Sequence, residues 1–386
     1  MVPDWHHVPM SGDPIPGATL SLRALNRATL DRQLLLRRST TTVLEVIERL
    51  VGMQAQTPHT AYVGLWDRLE GFRPEQLSDR LVDRSVVRMA LMRGTIHLVT
   101  ADDAWGLRPL VQPVLDRVQQ GQFGKRLAGV DAGGLVEVGR AFVDEQPRTF
   151  RELGDHLLTR WPDRDRFALE QAIRTGVPLV QVPPRGIWGR SGPIAHTSIE
   201  AWLGDTPPVR PTIDAMVIRY LGAFGPASVM DAQAWCGLTK LCEVFERLRP
   251  GLAVFRDPTG RELFDLPGAP RPDPDTPAPP RFLYDYENLL LSYADRSRTI
   301  LPELVRGTGS RTQESLSTFT LDGFVAGTWA IRRERGTATL VITPVERLAK
   351  RHAAALTDEG TGLLAFAAAD AAVHEVRIAE PQTWIR

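Results

Sequence analysis

Apolar residues recur along this chain as short helical stripes followed by alternating runs. Val43, Val46, Ile47, Leu50 and Val51 mark one face of a helix, and Leu22, Leu25, Leu30, Leu34 and Leu36 give an imperfect stripe before it. Residues Pro74 to Asp83 read as a further helix. Val86-Val87-Arg88-Met89-Ala90-Leu91 and Thr95-Ile96-His97-Leu98-Val99 then alternate as a β pair turning at Arg93-Gly94. Helix, helix, helix, hairpin is the layout of a winged helix.

The same order returns twice. Leu135 to Glu145, a helix entry at Thr149 with Glu152 three residues on, and Asp165 to Thr175 precede Leu179-Val180-Gln181-Val182 and Gly186-Ile187-Trp188-Gly189-Arg190 as a second wing. Thr212 to Phe224 and Val229 to Trp235 precede a third wing, Leu252 to Phe255 and Glu262 to Leu266, turning at Asp257-Pro258-Thr259-Gly260. The stretch Pro267 to Pro280 is so dense in proline that it must be an extended connector. Alternation from Phe319 through Ile342 predicts antiparallel strands, followed by helices at Glu346 to Leu356 and Gly362 to Ala372. The expected fold class is mainly α with short β wings (α+β): tandem winged-helix units plus a small β-rich C-terminal module. Its units are a disordered leader over 1–18, winged helices over 19–130, 131–208 and 209–280 (the last with the connector), and the module over 281–386.

Composition changes this picture little. At 386 residues, 43% hydrophobic and 24% charged, the chain is an ordinary globular sequence of several compact units. No stretch approaches a membrane span and the N-terminus lacks the layout of a secretion signal, so a cytoplasmic, nucleoid-associated protein and a monomer are expected. Net charge is zero, which a nucleic-acid binder does not advertise, although local placement can still form a positive groove. Cys236 and Cys242 lack partners at metal spacing and read as reduced thiols. No metal and no cofactor is expected.

No phosphate loop, nucleophile elbow or metal cluster is present, so the leading chemical candidate is Gln54-Ala55-Gln56, two amides at the end of an apolar helical run. Pro58 pushes Thr57 out of helical geometry. In an extended segment the i, i+2 spacing points both amides the same way, whereas on a helix they would diverge by about 200°. Read from residue type alone, the two glutamines suit first a helix end, where they cap the preceding helix and satisfy buried backbone groups.

Several segments carry a resemblance. Arg49 to Pro58, Tyr62 to Trp66, Leu91 to Thr100, Tyr220 to Ser228, Arg281 to Ser292, Ala294 to Arg298 and Gly323 to Trp329 together resemble the winged-helix DNA glycosylases of the AlkZ/YcaQ type. The resemblance spans roughly residues 20 to 345 and implies an enzyme that releases bulky N7-alkylguanine and unhooks interstrand crosslinks. It implies that Gln54 and Gln56 are catalytic, the Gln-x-Gln form belonging to crosslink-resistance enzymes and Gln-x-Asp to relatives. The implied partner is double-stranded DNA carrying alkylated purines, and the implied role is self-resistance to a DNA-alkylating natural product.

Candidates for DNA contact are His59, Arg93 and His97 near the first wing, Arg296 and Arg298 in a later loop, and Arg332, Arg333 and Arg335 at a hairpin turn. His97 alternates with Thr95 and Val99 and equally fits a satisfied interior histidine. Asp102 and Asp103 read as a helix cap and first turn rather than a paired-carboxylate site. The reading from a different class is a winged-helix transcription regulator, against which neutral charge and the lack of a dimerisation stripe count.

Overall fold

The computed structural model describes residues 17–204, 211–301 and 316–382. The expected leader lies outside these residues up to position 16, as does the boundary expected at 208. The fold is a mixed α+β arrangement with small sheets. Among the described residues, no helix is long and apolar enough to cross a membrane.

The first unit starts with the helix Val43–Arg49, fixed by a reciprocal cap in which the Thr42 hydroxyl accepts from the Glu45 amide and the Glu45 carboxylate accepts from the Thr42 amide. Strand β1 (Met53–Gln54), helices Thr60–Trp66 and Glu75–Val82, and the hairpin β2 (Val86–Ala90) and β3 (Ile96–Thr100) complete it. The second unit repeats that order with Ala132–Glu145, β4 (Arg148–Thr149), Phe150–Arg160, Arg166–Gly176, β5 (Leu179–Gln181) and β6 (Ala195–Ser198). The third consists of Ile213–Phe224, a single bridge from Ala227 to Phe264, helices Val229–Cys236 and Cys242–Leu248, and the hairpin β7 (Ala253–Arg256) and β8 (Glu262–Asp265).

The first two units are fused. Their six strands form one sheet in the order β1-β3-β2-β5-β6-β4, a palindrome in which the two wings meet through the antiparallel pair β2 and β5. All five residues of β2 are buried because both faces of the sheet are covered. Val87, Met89 and Val99 pack with Tyr220, Phe224 and Trp235 of the third unit. Met53, Val86 and Leu98 pack with Phe282, Leu340 and Ile342 of the C-terminal module. Alternation of period two therefore sends one stripe of the strand into each neighbouring core.

The C-terminal module is a five-stranded sheet in the order β13-β12-β11-β10-β9, built from β9 (Arg281–Leu283), β10 (Thr318–Leu321), β11 (Phe324–Glu334), β12 (Thr337–Pro344) and β13 (Val373–Ile378). Two expectations are corrected here. Instead of helices at 346–356 and 362–372 there is one helix, Lys350–Ala367, followed by a strand that pairs parallel to β12. Gly360 lies inside that helix where a Cβ would stand 2.6 Å from a Leu340 methyl, so the glycine serves close packing and does not break the helix.

The second wing is also corrected. Its return strand is β6, and 186–190 is not part of the ladder. The prolines at 183 and 184 offer no ladder donors, and the chain leaves the sheet there. It turns instead toward the first unit, where the Tyr62 hydroxyl donates to the Gly186 carbonyl (2.7 Å) and accepts from the Trp188 amide (3.1 Å).

Candidate active site

Gln54 closes β1, directly opposite His97 on β3, and its side chain is buried. Its backbone amide donates to Asn288 Oδ1 (3.3 Å), while Asn288 Nδ2 donates to the Gly52 carbonyl (2.7 Å). One asparagine thus clamps the chain on both sides of Met53. The Gln54 Oε1 accepts from Arg93 Nη2 (2.6 Å), and Arg93 Nη1 donates to the Trp235 carbonyl of the third unit. Arg93 holds the carboxamide and ties it to a neighbouring core.

Beyond Gln54 the chain does not enter its helix at once. Residues 55–59 form an extension ahead of Thr60–Trp66, whose first turn begins at His59 without a side-chain cap. Ala55 still bonds β3, its amide donating to the Ile96 carbonyl (2.8 Å). Gln56 is exposed, and its Oε1 accepts from the Ile96 amide (3.3 Å). Both carboxamides are therefore held from the hairpin of the first unit, Gln54 by Arg93 and Gln56 by Ile96. Thr57 donates to Asp285 Oδ2 (2.5 Å), so Arg281 to Ser292 backs the motif through both Asp285 and Asn288.

Each carboxamide oxygen keeps a second lone pair after accepting its protein donor. Gln54, buried and gripped by a cation, is a fixed dipole; Gln56, exposed and held by one neutral amide, can meet a ligand from solvent. Burial and the Arg93 charge push His97 down to about 3, and it stays a neutral ring with Nδ1 3.0 Å from the Thr95 carbonyl.

The other expected DNA contacts fare unevenly. His97 is buried and is corrected to the satisfied interior histidine that its alternation also allowed. Arg298 is buried too, donating to the Pro226 carbonyl (2.7 Å) and lying over the Tyr293 ring, so its guanidinium is turned into the third unit and away from the surface where a DNA contact was expected. Arg93 is half-buried, and its guanidinium is engaged by Gln54 and Trp235. His59 is half-buried with Nε2 3.0 Å from the Ile187 carbonyl, Arg296 is half-buried, and Arg332 and Arg335 are exposed on the β11–β12 hairpin. Arg333, on the same hairpin, is exposed and paired with Asp370 (2.7 Å). Asp103 sits in the first turn of a helix capped by Thr100 and is bonded by Arg219, as a structural carboxylate.

Sequence reasoning missed Asn288 and Asp285, although the segment carrying them was singled out. An asparagine in an apolar run is the signal: a buried amide between Glu287 and Leu289 needs partners, and here those partners are the motif's own backbone.

Fold and motif together define a tandem winged-helix protein whose first unit presents two carboxamides where the other units carry an ordinary helix cap. The model of the family described as DNA glycosylase AlkZ-like matches residues 47–366, and the chain belongs to that family. An interstrand DNA cross-link repair glycosylase from Streptomyces sahachiroi is 27% identical over 338 residues, covering 82% of this chain and 88% of that protein. The structure of Streptomyces sahachiroi DNA glycosylase AlkZ superposes with a TM-score of 0.73 at 23% identity, covering 94% of this chain and all of the other, and so shares the fold.

Proposed function

We propose that this protein is a monofunctional DNA glycosylase that hydrolyses the N-glycosidic bond of bulky N7-alkylguanine adducts and interstrand crosslinks in double-stranded DNA. The observation that carries the reading is the 55–59 extension, which brings an exposed Gln56 and an Arg93-locked Gln54 onto one hairpin. The cross-link repair activity named for the relative supports it.

Alkylation at N7 places a positive charge on the purine, so the base leaves without being protonated. What remains is to stabilise an oxocarbenium-like sugar and to place water at C1′, which oriented carbonyl dipoles do without a strong base. Gln56 meets the sugar and the water; Gln54, immobilised by Arg93, supplies the preorganised dipole behind it. An uncharged base would need an acid that this set lacks. His59, Arg296, Arg332, Arg333 and Arg335 are the proposed DNA contacts, the last three from a hairpin that reaches toward a groove. The cellular role that goes with this chemistry is self-resistance to a DNA-alkylating natural product.

The test is a duplex carrying one defined N7-alkylguanine, incubated with the protein and then treated to cleave abasic sites. Strand breaks at the adduct are expected, with no borohydride-trapped adduct because water is the nucleophile. Sequence-selective binding without abasic sites would instead make the protein a regulator.

A further inference from the structure

Directly opposite residues in the six-stranded sheet share a face. One such row runs Leu98, Arg88, Gln181, His196 and Arg148 across β3, β2, β5, β6 and β4. Arg88 is 1% exposed, yet among the described residues its guanidinium makes one hydrogen bond, from Nη2 to the carbonyl of Ala55 (2.7 Å), the residue between the two glutamines. Its Nε and Nη1 are buried and have no partner among the described residues, and the same holds for Arg185 Nε and His196 Nδ1. The loop from Pro183 that joins the second unit to the first brings Arg185 in. Gly186, at φ +93, lets that loop approach until a Cβ would be 3.2 Å from Arg88 Nη1. Arg174 donates to the Gly94 carbonyl (3.2 Å) and to Gln171 Oε1 (3.2 Å).

The charges of Arg174, Arg185 and Arg88 all act on His196, and Arg185 acts on Arg88. Among the described residues, no carboxylate forms an ion pair with Arg88, Arg174 or Arg185. A buried cation with two unmet N–H groups and cationic neighbours is costly unless an anion completes it. Arg88 stays charged at neutral pH, since burial and Arg185 lower it only to about 10. Arg148, Arg174, Gln181 and Arg185 are half-buried, so the outer side of the cluster meets solvent.

We propose that Arg88, Arg174 and Arg185, gathered around His196, bind one phosphodiester of the DNA beside the two glutamines, fixing the sugar whose C1′ is attacked. This rests on the glycosylase reading for the identity of the strand, and it adds a site that the glutamines do not supply. Guanidinium forks match phosphate oxygens, and a neutral His196 adds either a donor or an acceptor.

The test uses the full chain and a duplex with a single tetrahydrofuran abasic analogue, read by binding alone. Arg185→Gln is the primary variant, because no hydrogen bond or ion pair of Arg185 with the described residues would be lost with it. Its affinity should fall about tenfold, and the slope of log K against log salt should flatten by about 0.9, the value for one phosphate contact. Arg185→Lys should restore most of the slope. Replacing flanking phosphates one at a time by neutral methylphosphonates should weaken wild-type binding at one position, to which Arg185→Gln should be insensitive. An unchanged salt slope, or a methylphosphonate profile identical in wild type and variant, would overturn the proposal. Because excision is not read, an enzyme that binds in this way but releases no base would refute the glycosylase reading and leave the phosphate site standing.

Discussion

The two halves of the six-stranded sheet are built alike and end differently. In the second unit β4 runs straight into its helix: Thr149 pairs with Ala195 and at once caps Phe150–Arg160 in a reciprocal box with Glu152. The third unit does the same, Ala227 bridging to Phe264 and Ser228 capping Val229–Cys236 with Asp231. The first unit alone inserts 55–59 between strand and helix and leaves the helix start without a side-chain cap. A cap was given up, at about 1 kcal/mol, and in its place the chain gained an exposed carboxamide beside a fixed one. A cap that stabilises the second and third units and is missing from the first sets the first junction apart as the place where the fold gives up stability.

The sharpest way to break this comparison is to remove the carboxamides. Gln54→Ala and Gln56→Ala should each reduce single-turnover excision of N7-alkylguanine by about 100- to 1,000-fold, the scale for loss of a preorganised dipole. Duplex affinity should stay within about threefold. Equal losses of binding and excision would make the pair a structural cap after all, and the first unit no different from the others.

Next in size is Arg93→Met, which keeps the length of the side chain and removes the charge-assisted bond to Gln54. A hydrogen bond to a charged group is worth about 1.5–3 kcal/mol, so kcat should fall about 10- to 100-fold with KM little changed. A rise in KM and a flattened salt slope, with kcat intact, would return Arg93 to the role of a phosphate contact.

Much of this architecture was legible in the chain. The helix–helix–helix–hairpin order appears in the apolar periodicity because each helix buries one stripe, and the caps at Thr42, Thr149 and Ser228 announce themselves by an acidic residue three positions on. What periodicity does not carry is partnership between distant segments. Nothing in Leu179 to Gln181 says that it pairs with Arg88 and Met89, and the largely exposed Val373–Ile378 shows no core-facing stripe. The site was legible in part for the same reason. Gln54 and Gln56 stand out as polar residues after an apolar run, whereas Asn288 acts across more than 200 residues of sequence and Arg88 sits in the alternation of a strand as if it faced water. Arg93 and His97 were placed near the motif by the hairpin, but register alone does not reveal whether a side chain turns outward or inward.

The second unit supplies the matching control. Thr149→Ala should cost about 1 kcal/mol of stability through its cap, seen as a lower denaturant midpoint, and should leave excision at the wild-type rate. If excision fell while stability held, the second strand-to-helix junction would belong to the active site and the contrast between the halves would be wrong.

The smallest expected effect compares the histidines of the two wings. Burial first, then nearby arginine charge, holds His97 and His196 each at about 3, with Arg93 facing the former and Arg174, Arg185 and Arg88 facing the latter. Unfolded, each would titrate near 6.5, so the folded state binds fewer protons; its stability is intact above that value and is lost as pH falls from about 6.5 toward 3. Between pH 7 and 6 the loss is about 0.7 kcal/mol for each ring. Asp67, buried and pushed up to about 8, works with the opposite sign over this window, so the histidine effect must be taken as wild type minus variant. Denaturant titrations at pH 7 and 6 with His97→Leu and with His196→Leu should each remove one such increment. A pH dependence unchanged by either substitution would mean that the ring titrates in the folded protein as it does unfolded, and that its wing is open to solvent at that position.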